Sequence, residues 1–154
     1  MDPKQALTRA AALCSASERC SGDIRKKLLE WELNADEADE VIRILKKEKF
    51  IDDERFAGFF VRDRFRFNKW GKQKIRFELK KRGMENEVIA QALDTIEAQE
   101  YKQTLLELMK ARLRSEKKAD PRLRKAALLR FAASRGFEAD LCYSVADLLL
   151  GDKM

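Results

Sequence analysis

Eight residues in the second half of this chain repeat. Arg82-Gly83-Met84-Glu85-Asn86-Glu87-Val88-Ile89 recurs 53 positions later as Arg135-Gly136-Phe137-Glu138-Ala139-Asp140-Leu141-Cys142. At the same offset, Ile75 and Ala92 fall on Leu128 and Val145. With an offset of 51, Ile24, Arg25 and Leu28 fall on Ile75, Arg76 and Leu79, and Ala38, Ile42 and Leu45 fall on Ile89, Leu93 and Ile96. A period near 50 spanning three helical segments implies three tandem three-helix units, because such a unit buries its apolar face only against a neighbour. The expected units are residues 1–49, 50–97 and 98–154, in an all-α chain. Gly83 and Gly136 then occupy the same bend, where a left-handed residue ends the second helix of a unit.

The helices can be read one by one. Residues 4 to about 17 carry Ala6, Leu7, Ala10, Ala11, Leu13 and Cys14. Ser21 or Asp23 is the expected cap of the next helix, which turns Ile24, Leu28 and Trp31 to one side. Asn34-Ala35-Asp36-Glu37 has the spacing of a capping box, and its helix carries Ala38, Val41, Ile42 and Leu45. Ile51-Asp52-Asp53 opens a fourth helix with Phe56, Phe59, Phe60 and Val61 on its buried face. Trp70-Gly71 breaks it, and a fifth helix carries Ile75 and Leu79 inward until Gly83. A sixth, from near Glu85, carries Val88, Ile89, Ala92, Leu93 and Ile96. A long seventh, from about Glu97 to Ser115, shows Tyr101, Leu105, Leu108 and Arg112, with Leu106, Met109 and Leu113 beside them. Asp120-Pro121 starts an eighth, with Leu128 and Ala132 inward. The ninth presents Leu141, Cys142, Val145, Leu148 and Leu149. No segment alternates with period two, and six glycines and two prolines leave little material for the turns of an all-β fold.

Charge follows the repeat. Residues 30–54 sum to −6, 62–83 to +8, 84–109 to −5, 110–135 to +8 and 136–154 to −3. A charge run is ordinarily a solvated face. Here the alternation would set basic segments in register as a stripe that attracts a polyanion through counterion release. Within the central basic segment, Arg62, Arg64, Arg66, Lys69, Lys72, Lys74 and Arg76 alternate with Phe65, Phe67, Trp70 and Phe77. Arginine grips phosphate with two parallel bonds and aromatic rings stack on bases, so the mixture suits single-stranded nucleic acid or a nucleoprotein surface. Arg62, Arg66 and Lys69 are expected on one helix face. Phe65, Phe67 and Trp70 are expected as core residues at a helix corner, whereas Phe77 lies about 200° round the helix from Ile75 and faces away. The candidate contact residues are therefore Arg62, Arg64, Arg66, Lys69, Lys72, Lys74, Arg76, Phe77, Lys80, Lys81 and Arg82, with Arg122, Arg124 and Lys125 in the second basic segment.

Catalytic signatures are missing. The chain has no histidine, which removes His-based triads and the commonest zinc sites. The glycines form no phosphate loop. The carboxylate pairs Asp36-Glu37 and Asp52-Asp53 stand at helix starts, where capping accounts for them. No enzymatic activity, cofactor or metal is expected. Three cysteines without paired spacing fit a reducing cytoplasm. No apolar run approaches the ~18 residues of a membrane span, and the polar Met1-Asp2-Pro3-Lys4 start does not resemble a signal peptide. A cytoplasmic monomer is expected.

Three pieces carry a family resemblance: Phe50-Ile51-Asp52-Asp53-Glu54-Arg55-Phe56-Ala57, Trp70-Gly71-Lys72-Gln73-Lys74-Ile75-Arg76-Phe77-Glu78-Leu79, and Lys81-Arg82-Gly83-Met84. In these the chain resembles the RecX family, regulators of the bacterial recombinase RecA. The likeness is strongest over residues 20 to 97, and Trp70 stands where a tyrosine is commoner. It implies a curved, elongated array of three-helix, helix-turn-helix-like repeats that lodges in the groove of a RecA–DNA filament, inhibits recombinase and ATPase activity and modulates filament assembly. Weak DNA binding without sequence preference is expected beside it. The competing reading is a DNA- or RNA-binding helical protein acting alone, although helix 71–82 offers Lys, Gln, Arg and Glu, which suit phosphates better than base edges. A purely structural adaptor would leave the +8 segments unexplained.

Overall fold

The computed structural model describes residues 1–117 and 119–151; the last three positions of the expected third unit, and Lys118 within it, lie outside the described residues. Among the described residues the chain is helical and has no strand. Its helices are α1 (Pro3–Ala16), α2 (Ser21–Glu30), α3 (Ala35–Lys47), α4 (Asp53–Arg66), α5 (Lys72–Lys81), α6 (Asn86–Leu93), α7 (Ala98–Ser115), α8 (Pro121–Ser134) and α9 (Ala139–Leu150). No helix among these residues is long and apolar enough to cross a membrane.

Most helix starts are written locally. Asn34 and Glu37 close the expected capping box at α3, each side chain accepting from the other's backbone N–H at 2.8 and 2.9 Å. Asp2 and Gln5 form a second box at α1. Asp52 accepts from the Arg55 N–H at 3.0 Å, and Asp120 from the Arg122 N–H at 2.9 Å ahead of Pro121. The start of α2 departs from expectation. Its cap residue is Cys20, which makes no side-chain cap bond, and neither Ser21 nor Asp23 fills that role. The carboxylate comes from Asp53, which accepts the Ser21 N–H at 2.8 Å and the Ser21 hydroxyl. A residue 32 positions away thus does what no local side chain does, and no short-range pattern announces it.

The repeat is visible in burial. In the second helices, Ile24, Ile75 and Leu128 are buried at equivalent positions, as are Leu28, Leu79 and Ala132. So are Leu33, Met84 and Phe137 just after them, and Ala38, Ile89 and Cys142 in the third helices. The first helices match as Ala6, Ala57 and Tyr101, then Ala10, Val61 and Leu105, all buried. Each second helix also ends the same way. Leu33, Met84 and Phe137 donate to the carbonyls of Leu28, Leu79 and Ala132, and Glu32, Gly83 and Gly136 donate to those of Leu29, Lys80 and Ala133. This paired pattern is the Schellman motif, with a left-handed residue after the cap. Gly83 and Gly136 have φ of +82° and +95°, as expected from the sequence, and Glu32 takes +71° in the first unit.

Several face assignments shift. Phe59 is 43% exposed, because the inward face of α4 runs through Ala57, Phe60, Val61 and Phe65, and Phe59 lies about 200° round from Ala57. On α7 the buried line is Tyr101, Leu105 and Met109, so Arg112 is exposed, its guanidinium 5.1 Å from the Phe131 ring centre. On α9, Cys142, Val145 and Ala146 face inward and Leu148 is exposed.

The chain gathers into two compact units: Met1–Phe60 with Leu79–Ala92, and Val61–Glu78 with the chain from Leu93 on. Helices α4 and α5 each contribute residues to both. The first unit centres on Ala6, Ala10, Ile24, Leu28, Leu33, Ala38, Val41, Leu45 and Ile51. In the second, the Tyr101 ring lies 5.8 Å from that of Phe65 and 5.0 Å from that of Phe137.

Candidate nucleic-acid interface

Within the second unit, residues 61–78 carry seven Lys and Arg against Asp63 and Glu78. Arg62 and Arg66 are exposed, four apart on the last turns of α4, and Arg76 is exposed on α5. Arg64, Lys72 and Lys74 are half-buried. Lys69 is exposed but does not share the helical face of Arg62 and Arg66, because α4 stops at Arg66 and Lys69 takes a left-handed φ of +57°.

The aromatics divide. Phe65 is buried, as expected of a corner residue, and Trp70 is half-buried. Phe67, also expected in the core, is 81% exposed, since it lies past the end of α4 and off its inward line. Phe77 is 62% exposed, on the outward face that its spacing from Ile75 requires. Trp70 organises cations: the Arg64 guanidinium sits 5.4 Å and the Lys74 ammonium 4.7 Å from its ring centre. Such contacts hold a charge near an aromatic face without neutralising it.

The start of α5 is fixed by distant parts of the second unit. The Gly71 and Gln73 N–H groups donate to the carbonyls of Arg135 and Gly136 at 2.7 and 3.0 Å. Between them the Lys72 N–H donates to the Tyr101 hydroxyl at 2.9 Å, and that hydroxyl donates to the Glu138 carboxylate. Burial, reinforced by the bond to Glu138, pushes the Tyr101 hydroxyl above its ordinary pKa, so it stays a donor. The amides at this helix start are therefore occupied, and an anion here would be met by side chains. Tyr101 and Glu138 were not among the sequence candidates; the signal that could have pointed to Tyr101 is a lone tyrosine on an aliphatic helix face.

The other candidates are placed differently. In the first unit, Lys80 donates to the Asn86 side chain at 2.7 Å and Lys81 is exposed. Arg82 is committed to packing: it pairs with Asp23 and stacks 5.6 Å over Phe56 and 5.2 Å over Phe60, with a buried Nε that has no hydrogen-bond partner among the described residues. In the second unit, Arg122 is exposed beside Asp120 and Arg124 is half-buried. Lys125 bonds Asp147 at 2.8 Å, with the Tyr143 ring centre 5.9 Å away. Burial pushes the Cys20 and Cys142 thiols up to about 11, so both are protonated at neutral pH.

A family model described as the second three-helix domain of RecX matches residues 52–93. A "Regulatory protein RecX" of Mycolicibacterium vanbaalenii is 30% identical over 156 residues, covering 97% of this chain and 85% of the relative. The chain belongs to the RecX family. A RecX regulatory protein of Oceanobacillus iheyensis is 29% identical over 135 residues, covering 88% of this chain. The chain spans 50% of the length of that relative. A crystal structure of RecX from Lactobacillus salivarius matches with a TM-score of 0.83 at 19% identity, covering 96% of each chain. RecX structures thus share its helical repeat fold.

Proposed function

We propose that this RecX-family chain is a non-catalytic regulator that binds RecA–DNA filaments, restrains their ATP hydrolysis and recombination, and modulates their assembly. In this reading the chain is built of the repeats 1–49, 50–97 and 98–154 and acts as a monomer. The observation that carries it is the segment Arg62–Phe77, where seven Lys and Arg accompany two exposed phenylalanines, Phe67 just after α4 and Phe77 on α5, whose start is pinned by Tyr101. A surface of that kind addresses a partner that offers both phosphates and protein. Weak contacts repeated along a filament multiply, so the filament is preferred over bare DNA.

The experiment is RecA ATPase measured with wild type and with a variant carrying Arg62, Arg66 and Lys69 changed to Glu. The wild type inhibits well below the amount that coats the DNA. The triple variant, changed at exposed positions, keeps its fold and loses inhibition. A wild type that acts only when it saturates the DNA would return the reading to a helical protein that binds DNA or RNA directly. A folded triple variant that inhibits fully would show that another surface makes the contact.

A further inference from the structure

The first unit holds a second group of cations, built from parts of the sequence that the charge runs do not join. Arg25 and Lys26 of α2, Lys46 of α3, Lys81 of α5 and the neighbouring Arg82 line a concavity of about 520 Å³. Among the described residues a single carboxylate, Asp39, lines it with them. Arg25 pairs with Asp39 at 2.9 Å, Lys46 with Asp53 at 3.9 Å, and Arg82 with Asp23. The five cations that line the concavity outnumber the one carboxylate that lines it with them. The Arg25–Asp39 pair is well exposed, so Arg25 exchanges its partner for a phosphate at little cost. Leu29, 41% exposed, and the half-buried Ile42 add an apolar patch to the wall.

A concave, cation-lined surface focuses potential on an anion. A volume of this order holds a ligand of nucleotide size rather than a lone oxyanion. We propose that this concavity binds the phosphodiester backbone of a nucleic-acid strand. Arg25, Lys26, Lys46 and Lys81 meet the phosphates, and Leu29 lies against a sugar. Arg82, locked between Asp23 and the Phe56 and Phe60 rings, positions the wall. The site goes beyond the Arg62–Phe77 surface and does not depend on a recombinase.

The test uses the full chain, a fluorescein-labelled 15-nucleotide oligothymidylate and no RecA, with anisotropy read from low to moderate salt. Changing Lys26 and Lys46 to Glu weakens binding about tenfold at low salt, and loss of two contacts to a single strand makes the log–log salt dependence shallower by about 1.4. If that variant does not fold by circular dichroism, Lys26 and Lys46 are changed to Gln, with a loss of about threefold. Unchanged affinity and slope in a folded variant overturn the site. Two competitors identify the ligand. Inorganic triphosphate or poly-glutamate that displaces the oligonucleotide as well as an unlabelled strand of equal charge overturns the assignment to a nucleic-acid backbone, while a clear preference for the strand sustains it.

Discussion

Glu32, Gly83 and Gly136 hold the same left-handed position in three successive bends, and their surroundings differ. A Cβ added at Gly83 would meet nothing within 4 Å, whereas at Gly136 it would fall 2.3 Å from the Lys74 Cβ. At Gly83 only the backbone resists a side chain, which for a β-branched residue is ~1–3 kcal/mol. Gly83→Ala should therefore lower the urea midpoint modestly, Gly83→Val more, and Gly136→Ala more than Gly83→Ala because crowding adds to strain. Glu32 already bears the strain, which for a residue with a Cβ is ~1–2 kcal/mol. Glu32→Gly should stabilise by ~0.5–1 kcal/mol after the entropy of glycine in the unfolded chain is deducted. A loss of stability in Glu32→Gly would mean that the Glu32 side chain makes a compensating contact.

At the scale of the element, α5 matters most, because its start is held by α7 and by the bend after α8. The hydroxyl of Tyr101 both accepts from Lys72 and donates to Glu138, so its removal strands a donor and a carboxylate together. Tyr101→Phe should cost ~1–3 kcal/mol with little change in buried area. Amide exchange at Lys72 should quicken more than exchange at Ile75, one turn further on. Uniform exchange across α5 in the variant would show that the Gly71 and Gln73 bonds suffice to hold the helix start. Because α5 carries Lys72, Lys74, Arg76 and Phe77, this loosening should also weaken the Arg62–Phe77 surface without touching a charge.

For the molecule as a whole, charge rather than base recognition should govern nucleic-acid binding. The formal net charge is +6, while residues 62–83 and 110–135 carry +8 each against acidic third helices. Binding to two unrelated oligonucleotides should agree within about twofold, and affinity should fall with salt with a log–log slope steeper than about −3 if five or more phosphates are met. Strong preference for one duplex, indifferent to salt, would point to base-edge readout instead.

Periodicity and cap chemistry determined the helices, the equivalent bends at Gly83 and Gly136 and the burial of Ile75, Leu79, Leu128 and Ala132, whereas the matching bend at Glu32 emerged only in the structure. Those outcomes follow from spacing along one helix and from cap chemistry within four residues, which a sequence states directly. The exposure of Phe77 was legible for the same reason. Tertiary structure alone decided the rest. It put Phe67 outside by ending α4 at Arg66, supplied the cap of α2 from Asp53, and made the buried Tyr101 the clamp on α5. It also separated Arg82, spent on Asp23 and two phenylalanine rings, from Arg62 and Arg66, which stand exposed. The α2 cap, the α5 clamp and the packing of Arg82 depend on partners 22 or more residues away, and the side chain that meets another across the fold leaves no mark on its own neighbours in sequence.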